Sequence, residues 1–72
     1  MDVRKTAGFI AEKRKEKNMS QKELAEHLHI TDKAVSKWER GLAFPDITIL
    51  IPLSEVLNVS LYDLLTGGSS DE

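Results

Sequence analysis

Two helix-start signals, Ser20 and Thr31, stand eleven residues apart, and apolar residues recur at helical spacing after each. Ser20 is followed three residues later by Glu23. In that pairing the serine oxygen accepts the third helical amide while the glutamate reaches back to the serine amide. The spacing predicts a short helix from Gln21 to Leu28 that buries Leu24, Ala25 and Leu28. Thr31 then caps a helix from Asp32 to Arg40 with Val35 and Trp38 inward. Only His29 and Ile30 are left to join the two, so the helices must cross closely. Small Ala25 suits such a crossing, since a larger side chain there would push them apart.

The rest of the chain reads as helix around this unit. Val3, Ala7, Ile10 and Arg14 share one face of a first helix, from about Val3 to Lys17, which Asn18 ends because Asn tolerates the left-handed conformation. Gly41 stops the helix opened by Thr31, and a loop from Leu42 to Pro45 leads to Asp46, expected to cap a fourth helix over roughly Ile47 to Leu57. Pro52 falls inside that helix, where it lacks an amide and crowds the carbonyl four residues back, so a kink or a late start is expected. Asn58 or Val59 breaks the chain, Ser60 with Asp63 repeats the capping pattern, and Leu61 to Thr66 make a last turn or two. No strand-like alternation appears. Residues 1–66 form one predicted domain, and 67–72, Gly-Gly-Ser-Ser-Asp-Glu, a flexible tail or the start of a linker.

Seventy-two residues can bury a single modest core. The chain has no cysteine, so no disulfide or thiolate metal site is possible, and His27 and His29 alone cannot complete a zinc site. No metal or cofactor is expected. The longest apolar stretch, Ile47 to Leu53, is too short to cross a bilayer, which makes a cytoplasmic chain without membrane contact the expectation. All ten Lys and Arg lie within residues 1–40, where seven acids leave a balance of +3, whereas residues 41–72 hold five acids and no base. A basic half facing phosphates and an acidic half turned away suits a nucleic-acid partner despite the net charge of −2.

Ser20-Gln21-Lys22-Glu23-Leu24-Ala25, followed by Val35-Ser36-Lys37-Trp38-Glu39-Arg40-Gly41 and Pro45-Asp46, resembles the Cro/CI-repressor (XRE) family of helix-turn-helix DNA-binding domains. The likeness covers about residues 6–66. It implies an all-α, five-helix, lambda-repressor-like bundle. It further implies sequence-specific binding of double-stranded DNA by a transcriptional regulator or its N-terminal module, as a homodimer on a palindromic operator. A groove about 12 Å wide admits one helix, whose outward side chains reach base edges. The resemblance places base readers at Asp32, Lys33 and Lys37. It places phosphate or supporting contacts at Gln21, Thr31, Ser36 and Arg40, and pairs Arg14 with Glu39. Lys33 or Lys37 could donate to guanine and Asp32 could accept from cytosine; the same residues could instead be a solvated helix face. The chain departs from the family at Asn18 and His29, where Gly is common, at Lys13, where leucine is common, and at Pro52.

Other chemistries find less support. Trp38, Phe9, Phe44 and Tyr62 are expected to pack in the core rather than to stack on bases. Ser36 with His27 and His29 forms no recognisable Ser, His and acid arrangement, so the chain is not expected to be an enzyme. The alternative function is a protein-interaction module on the same scaffold, favoured by the acidic pI of about 5.6 and by any clustering of exposed apolar side chains.

Overall fold

The computed structural model describes residues 2–68 and contains five helices: α1 (Val3–Glu16), α2 (Gln21–Leu28), α3 (Asp32–Glu39), α4 (Ile47–Leu57) and α5 (Leu61–Thr66). Four of the five starts have a side-chain cap. Asp2 caps α1 by accepting from the amides of Arg4 and Lys5, an N-cap that the sequence reading overlooked. Ser20 and Glu23 form the reciprocal capping box, with Glu23 N–H donating to Ser20 Oγ at 3.0 Å and Ser20 N–H to Glu23 Oε1 at 2.8 Å. Thr31 and Ser60 accept from the amides of Ala34 and Asp63. Asp46 occupies the N-cap position of α4, but its carboxylate accepts the Thr48 hydroxyl at 2.9 Å instead of a helix amide.

The ends are equally local. Asn18, His29 and Asn58 all adopt φ of 57–58°, the left-handed region that these side chains enter more readily than most. The expected disturbance at Pro52 is corrected in one respect: α4 starts at Ile47, ahead of the proline, and runs through it. The carbonyl left without its helical partner belongs to Thr48, an exposed residue that water can serve. α1 and α3 each stop one residue short of the predicted Lys17 and Arg40.

The core gathers one face of every helix: Phe9 and Ile10 from α1, Leu24, Ala25 and Leu28 from α2, Val35 and Trp38 from α3, Leu50, Leu53 and Leu57 from α4, and Leu64 from α5. α2 packs chiefly on α3, and α1 touches α3, α4 and α5. Of the four aromatics expected inside, Tyr62 is the exception, at 70% exposed. α5 has fewer than two turns, and Leu64 and Leu65 fill its inward side, which leaves the preceding Tyr62 pointing out. Thr6 is buried instead, its hydroxyl donating to the Leu64 carbonyl at 2.7 Å and tying α1 to α5.

Gly67 and Gly68, the first two residues of the predicted tail, fall within the described residues. Gly67 and Gly68 have φ of +73° and +75°, and ideal Cβ atoms there would lie 2.4 Å from Lys5 Cβ and 2.5 Å from the Phe9 ring. The two glycines therefore lie against α1, an approach that side chains would block. The remaining tail, 69–72, lies outside the described residues.

Candidate nucleic-acid interface

α3 is held by its inner stripe and offers its outer one. Val35 is fully buried and Trp38 nearly so. Lys33 and Lys37, one turn apart, are exposed together with Asp32 in the first turn, Arg40 just past the last, and Thr31 at the cap. Ser36 is half-buried, and its carbonyl accepts from Arg40 Nε at 3.3 Å. Three cationic groups thus follow one another along a solvent-facing flank of a two-turn helix, a spacing set by the helical repeat. Asp32 sits where the positive end of the helix dipole favours an anion, so its position has a structural cause independent of any ligand.

A single carboxylate fixes the other side of that helix. Glu39 Oε2 accepts from Arg14 Nε at 2.7 Å, and Oε1 accepts from Arg14 Nη2 at 2.9 Å and from Gln21 Nε2 at 3.0 Å. Arg14 Nη1 completes the arrangement by donating to the Met19 carbonyl at 2.8 Å. The two side chains of the pair are only 11% and 7% exposed. Burial pushes the Glu39 carboxyl up, but the hydrogen bonds from Arg14 and Gln21 outweigh it and hold the group below the usual carboxylate range. The bond to Glu39 in turn raises Arg14, which stays charged. Gln21, the first residue of α2, is therefore engaged through its side chain with α3 while its backbone stands at the amide-rich end of its own helix.

Lys13, where the family commonly has leucine, lays its ammonium 5.5 Å from the centroid of the Phe9 ring and 3.3 Å from Glu16. Its stem packs while its charge stays at the surface. The Met19 carbonyl as a partner for Arg14 carries no side-chain signal and could not have been read. A notch of about 210 Å³ beside α3, bounded by Thr31, Lys33, Ala34, Lys37, Trp38 and Ala43, joins the helix to the following loop. Two alanines at these positions are its only trace in the sequence.

The chain matches the helix-turn-helix family over residues 10–64, the span from the middle of α1 into α5. It belongs to the Cro/CI-type helix-turn-helix family. Within this helix-turn-helix, α2 and α3 are the paired helices and His29 and Ile30 the turn. Two curated relatives are similar to it: the HTH-type transcriptional activator BcrR of Enterococcus faecalis, 39% identical over 51 residues (71% of this chain, 25% of that protein), and the HTH-type transcriptional regulator YqaE of Bacillus subtilis, 41% identical over 59 residues (82% and 51%). The chain thus spans a quarter to a half of the length of these relatives. Among solved structures, the P22 c2 repressor in complex with a synthetic operator superposes with a TM-score of 0.83 and 31% identity, covering 86% of this chain and 94% of that one. No helix among the described residues is long and apolar enough to cross a membrane.

Proposed function

We propose that the chain binds double-stranded DNA as a transcriptional regulator or as the DNA-binding module of one, with α3 in the major groove. The observation that carries this reading is the flank of α3. Lys33, Lys37 and Arg40 project from a helix whose opposite stripe is locked to α1 and α2 through Glu39. A rigid helix with outward cations is what major-groove docking needs, because phosphates reward the charge and base edges the geometry. Lys33 and Lys37, with Asp32, are assigned to base edges. Gln21, Thr31, Ser36 and Arg40 are assigned to phosphates or to supporting the helix. Residues 1–66 act as the domain, the acidic half turns from the duplex, and no reaction is assigned to it.

A homodimer on a palindromic operator follows from size: one copy of α3 covers few base pairs, and paired copies about 34 to 36 Å apart read two half-sites. All five large hydrophobic side chains that stand exposed among the described residues, Leu42, Ile47, Ile51, Leu61 and Tyr62, lie in the segment that has no Lys or Arg. That segregation supports a protein-facing side, and it is also the observation favouring the second reading, a protein-interaction module.

Selection from random duplexes, followed by titration of the enriched duplex at several salt concentrations with parent and Lys37→Ala, tests the proposal. An enriched palindrome, a log affinity that falls linearly with log salt, and a loss of about 1–3 kcal/mol with relaxed selectivity in the variant are expected. Absence of enrichment and of salt-dependent binding, even for a tethered dimer, sinks the DNA reading in favour of the protein-interaction module.

A further inference from the structure

α4 is apolar on more sides than it buries. Of its eleven residues only Thr48, Ser54 and Glu55 are polar, and none is basic. A helix of that composition is normally covered all round. Leu50, Leu53 and Leu57 face the core, with Ile49 and Val56 packed beside them. Ile47 and Ile51, one turn apart, are instead 69% and 57% exposed, and exposed Glu55 continues their stripe one turn further on. Pro52 has no amide to give, so the carbonyl of exposed Thr48 keeps a free acceptor beside the stripe. Asp46 stands exposed at the N-terminal end, and neither it nor Glu55 forms an ion pair among the described residues. An apolar stripe of about two turns is thus bordered by acceptors, without a base.

We propose that this face of α4 docks an amphipathic helix of another protein, rich in Lys or Arg. A second copy of the chain lacks the chemistry to fill it. Pairing α4 with α4 sets two acidic faces against each other, with no Lys or Arg in residues 41–72 to relieve them. Pairing α4 with the basic half leaves the isoleucines uncovered, since no large hydrophobic side chain of residues 2–40 stands exposed. The occupant must therefore carry both kinds of group on one face. Apolar side chains at helical spacing cover Ile47 and Ile51, while ammonium or guanidinium groups donate to Glu55, Asp46 and the Thr48 carbonyl. Two turns of a partner helix match the stripe from Ile47 to Glu55, about 12 Å long. Charge steers the encounter, and apolar burial holds the complex. Lys33 and Lys37 lie on α3, so the inference stands whether the domain binds DNA or serves as an interaction module.

The test uses a fluorescent peptide of about 18 residues, long enough to form a helix, with a Leu stripe at i, i+3, i+4 and i+7 flanked by Lys. A second peptide replaces every Lys by Glu, and a third keeps the composition but scrambles the spacing. Each is titrated with the 72-residue chain by fluorescence anisotropy. The basic amphipathic peptide should bind at least about tenfold more tightly than either control. Ile51→Ser should weaken that binding about tenfold, the change expected when a largely covered isoleucine is lost. Glu55→Gln should weaken it about threefold and flatten its salt dependence. Ile51 is exposed in the free chain, so the variant should melt with the parent by circular dichroism; Ile47→Ser replaces it if it does not. Absence of binding, equal binding of the three peptides, or binding unchanged in a folded isoleucine variant overturns the proposal. So does a concentration-dependent dimer in sedimentation equilibrium that Ile51→Ser abolishes, because a second copy then fills the face.

Discussion

Replacing Arg14 by alanine should cost this domain a large part of its stability, because the substitution leaves Glu39 charged in a place that water scarcely reaches. The Glu39 side chain is 7% exposed and would keep only Gln21 as a partner. Breaking a buried pair from one side typically costs about 3 to 5 kcal/mol. For 72 residues the whole folding free energy is on the order of 4 to 11 kcal/mol. With a urea m-value of about 1 kcal/mol/M for so small a domain, the unfolding midpoint should fall by about 3 to 5 M, or the variant should be unfolded without denaturant. The pH dependence supplies an independent check. In the parent the Glu39 carboxyl is lowered on folding, so its contribution is present above the usual carboxylate range and is lost as pH falls through the lowered value. In Arg14→Ala burial acts with little opposition, the carboxyl takes up its proton at higher pH, and the deficit relative to the parent should shrink on acidification. Arg14→Met combined with Glu39→Met removes both charges and should recover most of the loss. Coincident urea curves for parent and Arg14→Ala at neutral pH would refute the reasoning, as would a deficit unchanged by acid.

Other consequences are as direct. Thr6→Val keeps the shape but deprives the Leu64 carbonyl, in the last turn of α5, of its hydroxyl donor; a loss of about 1–3 kcal/mol by urea titration is expected. Gly67→Ala brings a Cβ to 2.4 Å from Lys5 Cβ and 2.6 Å from the Lys5 carbonyl carbon at φ +73°, and should destabilise by about 1–3 kcal/mol in thermal melts. Gln21→Ala removes the brace on Glu39, with an expected stability loss of about 1.5–3 kcal/mol for a hydrogen bond to a charged group. If Gln21 also holds a phosphate, DNA affinity should drop uniformly across sequences; affinity unchanged after correction for the folded fraction would restrict it to bracing.

The parts of the fold legible in the sequence are those decided by neighbours a few residues apart. Ser20 with Glu23 and Thr31 before Asp32 mark helix starts because cap and amide are at most three positions apart, and Asn18, His29 and Asn58 mark ends because the left-handed conformation is a property of single residues. Asp2 carried the same local signal and was overlooked. What escaped depends on distant partners. Thr6 is polar by type but meets the end of α5, 58 residues away, and Tyr62 is aromatic by type but falls on a helix too short to bury both sides. The site divides in the same way. That Lys33 and Lys37 share an exposed flank follows from the helical repeat and the inward phase of Val35 and Trp38. The notch could not be read, because it exists only where the loop carrying Ala43 returns beside Ala34 and Trp38.

Glu39 also explains why stability and recognition are joined in this fold. Its two oxygens take Arg14 from α1 and Gln21 from α2, so one carboxylate sets the position of α3 against both neighbouring helices. The hydrophobic contacts of Val35 and Trp38 bury the same helix, but apolar packing is non-directional and tolerates small rotations about the helix axis. Hydrogen bonds of 2.7 to 3.0 Å to fixed partners do not. Rotation of α3 by a fraction of a turn would move Lys33 and Lys37 sideways together while leaving much of the apolar area covered. Directional bonds on the inner stripe therefore fix the direction of the outer one. A buried charge pair that adds little net stability over an apolar substitute can still determine where the lysines point.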